Sequence, residues 1–192
     1  MPGERCSAKK ISVASWNVNG IKNKDVDKGI DPEMHSEIMK HDIVCLTETH
    51  TGRDYTLSVP GFHMEAINER PICKKNNKFY GGMILLVREE IRKGVTVIEN
   101  NNPDSILMRL DKTFFKMSKN MFIGFFYIVP SNSSYVRNPT NEIDQYEDLG
   151  EFVLKNKEDG NILIMGDLNS RVANKPDFII NDCSIEPCEN GI

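Results

Sequence analysis

Residues 162–171 read ILIMGDLNSR, and the fold is read outward from this stretch. With the residue before it, Asn161 to Met165 (NILIM) is a compact, mostly apolar run, the pattern of a buried strand. The run stops at Gly166, and the polar Asp167 and Asn169 follow at once. Ahead of it, Ile143, Leu149, Phe152 and Val153 fall at helical spacing within 141–157. Gly150 is a mild flaw in that helix, and Gly160 is its stop. The unit is a helix leading into a buried strand that closes on a carboxylate and an amide.

Three other apolar runs close in the same way. Ile11 to Val18, rich in β-branched residues and holding the single Trp16, ends at Asn17 and Asn19-Gly20. DIVCLT (42–47) ends at Glu48, and the strand expected over Phe122 to Ile128 ends at Tyr127. Between the first two, Asp31-Pro32-Glu33 predicts a helix start, because Asp caps and Pro suits the first helical position. Met34, Ile38 and Met39 give that short helix an apolar side. Pro60-Gly61 forms a turn before a weak strand at Phe62 to Ile67, and 68–79 reads as a polar loop. Gly81-Gly82 opens a strong strand, Met83 to Arg88. Val95 to Ile98 and Ile106 to Leu110 follow, with Gly94 and 100–103 (NNNP) as turns. Short links between these consecutive strands predict antiparallel pairing. The whole order predicts a mixed α/β domain with helices packed on sheet faces.

A chain of 192 residues and 21.9 kDa is read as one domain able to fold without disulfides. With 39% hydrophobic and 27% charged residues, it is neither wholly disordered nor a fibrous repeat. The net charge of −4 is unevenly placed. After Lys175 come Asp177, Asp182, Glu186 and Glu189 with no basic residue, so residues 1–176 are neutral. Such a chain does not coat nucleic acid by bulk charge, and any contact must be local. Cys6, Cys45, Cys73, Cys183 and Cys188 are odd in number and irregular in spacing, which fits a reducing compartment better than a disulfide or zinc framework. The N-terminus (MPGERCSAKK) lacks the apolar core of a signal peptide, and the longest apolar run, 121–130, is about half a membrane span. The expectation is a soluble intracellular protein, off the membrane, with no obligate protein partner signalled.

The residues gathered at the four strand ends are chemically coherent. Glu48 and Asp167 are hard oxygen ligands of the kind Mg²⁺ or Mn²⁺ prefers. Asn17 and Asn169 donate hydrogen bonds without adding negative charge, and Tyr127 can donate to a phosphate oxygen. In open α/β sheets, ligands gather at the carboxyl ends of strands. Taken singly, each has an ordinary reading: a turn at Asn19-Gly20, a solvated Glu48, a cap at Gly166-Asp167, a core aromatic at Tyr127. Their joint occurrence points to metal-assisted hydrolysis of a phosphodiester.

Five strings carry a resemblance: SWNVNGI (15–21), DIVCLTETHT (42–51), GGMILLVR (81–88), FFYIVPSNS (125–133) and ILIMGDLNSR (162–171). In this order and spacing they resemble the successive motifs of the endonuclease/exonuclease/phosphatase superfamily. ETHT, the Gly-Gly strand opening and Tyr-Ile-x-Pro-Ser look most like the endonuclease domains of non-LTR (LINE-type) retrotransposons. The resemblance implies a DNase-like four-layer α/β/β/α fold, a two-layer β-sandwich flanked by helices with its site at one edge. It spans residues 10–171, with 1–9 as a disordered N-terminus and 172–192 as an acidic irregular tail. It implies Mg²⁺, with Mn²⁺ as an alternative, held by Glu48 with help from Asn17. Tyr127 would contact the scissile phosphate, Asp167 would orient or deprotonate water, and Asn169 would bind phosphate or hold Asp167. Asn19, Arg171, Lys74 and Lys75 would contact substrate. The implied partner is DNA, and the implied location is the nucleus. A phosphatase or RNA nuclease of the same fold, and a non-catalytic fragment, are the alternatives.

Three departures stand out. Asn19 replaces the Asp usual in abasic-site enzymes, and Pro130 replaces an Asn common three residues past the Tyr. All four His (His35, His41, His50, His63) precede residue 64, so the Asp-His motif that closes the family's site is absent. The expectation is a domain incomplete at its C-terminus, cut after the Gly-Asp-Leu-Asn strand, and nearly inactive. His50, two residues past Glu48, is read as a solvated loop residue rather than a stand-in. Arg70, Lys74, Lys75 and Lys78 are read either as a loop gripping DNA phosphates or as a plain solvated loop. Cys45 is read as buried filler.

Overall fold

The structure, a computed structural model, describes residues 10–22, 26–73, 78–98, 102–130 and 145–169. Within them the chain builds eight strands: β1 (Val13–Asn17), β2 (Ile43–Thr47), β3 (Phe62–Asn68), β4 (Met83–Arg88), β5 (Val95–Ile98), β6 (Ser105–Leu110), β7 (Asn120–Tyr127) and β8 (Gly160–Asp167). Three helices accompany them: α1 (Pro32–Ile38), α2 (Lys112–Phe115) and α3 (Gln145–Asn156).

The strands form two four-stranded mixed sheets, ordered β1-β2-β4-β3 and β5-β6-β7-β8. β1 runs parallel to β2 and β7 parallel to β8, and the remaining pairs are antiparallel. β2 and β4 are apolar up to their last residues, Thr47 and Arg88, because both of their faces are covered. Alternate residues serve different layers. Ile43, Cys45, Met83, Leu85 and Val87 meet Ile106, Met108, Ile123 and Phe125 of the second sheet in the central core. Val44, Leu46, Ile84 and Leu86 face outward onto Met34 and Ile38 of α1. On the far side, Phe122 and Phe126 receive Phe152 of α3, with the Phe126 and Phe152 rings meeting edge-on at 6.1 Å. The layers are therefore helix, sheet, sheet, helix, as a DNase-like sandwich requires. Each of these buried aliphatic or aromatic side chains contributes roughly 1.5–3 kcal/mol on leaving water.

Local signals operate as read at several points. Asp31 caps α1 by accepting from Glu33 N at 2.9 Å, with Pro32 in its first turn. Cys45 is a fully buried thiol whose pKa is pushed up by burial. Elsewhere the expectation is corrected. Met39 lies past α1 and is exposed, because the helix ends one residue earlier. β4 and β5 do not pair: a 3₁₀ turn over Glu89–Gly94 carries the chain from one sheet to the other. Gly160 pairs with Asn120 and so opens β8 instead of merely stopping the helix, and β8 is not a buried strand: it lies at the edge of its sheet and leaves Leu163 37% exposed. The β6–β7 connection contains α2, capped by Asp111, which accepts from Thr113 N and Phe114 N. None of the helices among the described residues is long and apolar enough to cross a membrane.

Candidate active site at the sheet edge

Register places the site. Asn17 is opposite Thr47 and Thr47 opposite Met83, while Tyr127 is opposite Asp167. The carboxyl ends of β1, β2, β7 and β8 and the start of β4 therefore share one edge of the sandwich. Three loops of the first sheet are zipped together there. Val18 N, Gly20 N and Ile21 N donate to the carbonyls of Thr47, Glu48 and Thr49. Thr49 N and His50 N donate in turn to Gly82 and Gly81. Gly82 (φ +85°) has no room for a Cβ, which would lie 2.8 Å from Thr49 Oγ1.

Backbone strain concentrates at this edge. Among the described residues five non-glycine positions have positive φ, and Asn19, Glu48, His50 and Asn169 are four of them. Left-handed backbone costs an L-residue roughly 1–2 kcal/mol. It persists where the surroundings over-determine it, which happens most often at functional sites.

The second sheet supplies Tyr127, Asp167 and Asn169. Asp167 is held at both oxygens. Asn169 N donates to Oδ1 at 3.1 Å, and Asn17 Nδ2 donates to Oδ2 at 3.2 Å. The second bond joins the two sheets across the edge. Asn17 Oδ1 accepts from Asn19 N at 3.0 Å, so one amide links the turn of the first sheet to the carboxylate of the second. Asn169 Nδ2 donates to the Ile128 carbonyl at 2.8 Å. Tyr127 is almost wholly buried, and its phenol donates to Glu48. Burial first, and then that bond and the Glu48 charge, push its pKa upward. The phenol therefore stays protonated and remains a hydrogen-bond donor.

The five central residues, Asn17, Glu48, Tyr127, Asp167 and Asn169, are thus brought together, with Asn19 exposed beside them. Arg171, Lys74 and Lys75 lie outside the described residues. Two readings are corrected. His50 is partly covered rather than solvated: its Nε2 lies 3.9 Å from Glu48 Oε2, and its other side abuts Gly20. Its pKa is lowered, mainly by desolvation, with Glu48 opposing and Arg70 and Lys28 assisting. Arg70 does not reach for DNA. It is 5% exposed, its Nε donates to Asp104 Oδ1 at 2.6 Å, and its guanidinium lies 5.2 Å from the Tyr127 ring centroid.

Asp104 is the site residue that sequence reading misses, and Arg70 is one whose role it misassigns. Asp104 also accepts Tyr127 N at its carbonyl, 2.8 Å away, and its own N–H bonds Asn102 Oδ1. The pair therefore fixes Tyr127 from its backbone and from its ring face. Gly81 makes the packing possible, since a Cβ there would stand 2.7 Å from Arg70 Cζ. A charged residue just past a strand, or just before one, is too common a signal to reveal such a pair.

Among the described residues no three His, Cys, Asp or Glu side chains form a metal cluster. The donors at the edge are two carboxylates with amide and phenol neighbours. That set suits Mg²⁺, which takes one or two carboxylates and keeps several waters, better than an ion needing a full protein cage.

A sequence model of the Endonuclease/Exonuclease/phosphatase family matches residues 14–180. The chain belongs to this family. Its members are hydrolytic nucleases and phosphatases that generally use divalent metal ions. No curated protein sequence matches the chain. Among solved structures, the human Nocturnin catalytic domain with bound sulfate is 16% identical, over 84% of this chain and 64% of that one, with a TM-score of 0.48. Truncated Caenorhabditis elegans TDP2 is 18% identical, over 87% and 66%, at 0.47. An AP endonuclease from Archaeoglobus fulgidus is 16% identical, over 83% and 58%, at 0.46. The chain spans less than two thirds of the length of each of these proteins.

Proposed function

We propose that this edge is a metal-dependent phosphodiesterase site acting on DNA, the endonuclease centre of a non-LTR retrotransposon-like element. The observation that carries the reading is the clasp across the sandwich. Asn17 of the first sheet bonds Asp167 of the second while Tyr127 reaches back to Glu48, so donors and carboxylates from four strands converge. Glu48, assisted by Asn17, holds Mg²⁺ or Mn²⁺. When bound, the ion polarises a phosphoryl oxygen and offsets the charge developing there.

The chain's own groups do the rest. Asp167, with both oxygens anchored, orients the attacking water and accepts its proton. Asn169 donates to the phosphate, and so does the protonated Tyr127 once its single O–H turns from Glu48. Asn19, Arg171, Lys74 and Lys75 contact the flanking backbone. The retrotransposon assignment is supported by ETHT (48–51), Gly81-Gly82 and Tyr-Ile-Val-Pro-Ser (127–131).

The test is nicking of supercoiled plasmid in Mg²⁺, set beside phosphate release from a soluble inositol phosphate. Nicking that needs Mg²⁺ and disappears in Glu48→Gln and Asp167→Asn is the expected result. Phosphate release without nicking would replace the endonuclease reading with a phosphatase.

A further inference from the structure

Beside the carboxylates lies an aromatic surface that the hydrolytic chemistry does not use. Tyr80 precedes the Gly81-Gly82 opening of β4 and is 44% exposed, although the strand it leads into is buried. Its ring meets the His50 imidazole edge-on, with centroids 5.9 Å apart and planes inclined at 69°. His50 is in turn backed by Gly20, where a Cβ would lie 3.1 Å from Nδ1, and it sits beside Glu48. Its backbone is fixed by the bond from His50 N to the Gly81 carbonyl at 2.8 Å. Gly20, His50 and Tyr80 therefore form a braced wall that begins at Glu48 and ends in an exposed ring. Nothing in the hydrolytic step requires that ring, and packing does not bury it.

We propose that Tyr80, braced by His50, is a stacking platform for the nucleobase adjoining the scissile phosphate. The site then favours DNA in which that base is already unstacked. The inference rests on the endonuclease reading and deepens it by naming a substrate feature. The chemistry is general: every base has a π-face, and a flat ring held rigidly beside a phosphate site captures a base once it leaves the helix. In paired DNA the base must first be pulled from its neighbours, whereas in a mismatched or single-stranded stretch that cost is small. Because residues 1–176 are neutral, stacking also supplies affinity that bulk charge does not.

The experiment is fluorescence anisotropy at one fixed salt concentration, with Mg²⁺ present. Two probes are used: a fully paired duplex, and the same duplex with a three-nucleotide unpaired bubble. Wild type should bind the bubble tighter. Tyr80→Ala should lose about 5- to 100-fold in bubble affinity, the range seen when a stacking ring is removed, with little change for the duplex. Tyr80→Phe and Tyr80→Trp should keep the preference, because the ring and not the hydroxyl stacks. An unchanged thermal midpoint in Tyr80→Ala is expected for so exposed a ring and shows that the loss is one of binding. Wild-type preference retained in Tyr80→Ala would overturn the platform and leave the endonuclease reading intact. Wild type binding neither probe would overturn both.

Discussion

At the scale of single residues the site depends on a few groups held from more than one direction, and Tyr127 is the clearest case. Its phenol reaches Glu48, its ring lies against Arg70, and its backbone N–H is bonded to Asp104. Tyr127→Phe keeps the ring and removes one donor. Plasmid nicking should fall about 100-fold, the usual cost of one preorganised donor to a developing oxyanion, while the protein melts within a few degrees of wild type. Arg70→Met acts differently. It leaves the 2%-exposed Asp104 without its counter-charge, a defect of about 3–5 kcal/mol. The denaturant midpoint should drop sharply, and a double variant that also replaces Asp104 by Leu should recover part of the loss. Glu48, Asp167 and Asn169 could be picked out from sequence because each closes an apolar run. Arg70 could not, because a guanidinium in a polar stretch reads as solvated until its acid partner, 34 positions later, is seen beside it.

Among the secondary-structure elements, β8 positions the catalytic carboxylate through a glycine. Gly166 has φ +131°, and a Cβ there would meet the Phe126 carbonyl oxygen at 1.9 Å. Gly166→Ala should destabilise the fold by at least about 2 kcal/mol through backbone strain and overpacking, and should disturb Asp167, the next residue. Loss of urea resistance and of metal-dependent nicking together is the expected outcome. A second element is tied by a phenol. Tyr55 Oη donates to Asp27 Oδ1 at 3.4 Å, bracing the 3₁₀ turn Lys28–Ile30. Burial, then the Asp27 charge and bond, push its pKa to about 12 from an ordinary 10. The folded state thus holds this proton more tightly than the unfolded chain. The associated stability is complete below pH 10 and is lost as pH rises through about 12. Tyr55→Phe should flatten part of the alkaline fall in melting temperature; Tyr127, also shifted upward, retains the rest.

The strands themselves were legible because apolar runs such as Ile43 to Leu46 and Ile84 to Val87 are buried on both faces. The short elements were not. Four residues of α2 and six of the 3₁₀ turn before β5 are too few to show a period. That the 3₁₀ turn moves the chain from one sheet to the other, while α2 joins two neighbours of one sheet, is a tertiary fact.

For the whole molecule, two mixed sheets stacked over a shared core bring four separate strand ends to one edge, although Asn17 and Asp167 are 150 positions apart. Sequence showed which residues close the strands, and the motif order implied that they meet. It did not reveal that one Asn17 amide links the turn at Asn19 to Asp167, or that His50 and Tyr80 build a wall beside them. These contacts arise from loops whose left-handed residues, Asn19, Glu48, His50 and Asn169, carry no distinctive local signature.

The central claim is that this edge forms one metal-binding and phosphate-binding site. It is tested most directly by titrating the ¹⁵N-labelled protein with substoichiometric Mn²⁺ and mapping which amide signals broaden. The account predicts selective broadening at Asn17 to Gly20, Glu48 to His50, Tyr127 and Asp167 to Asn169, with the effect abolished in Glu48→Gln. Broadening centred on the acidic stretch after residue 176, or unchanged by Glu48→Gln, would contradict it.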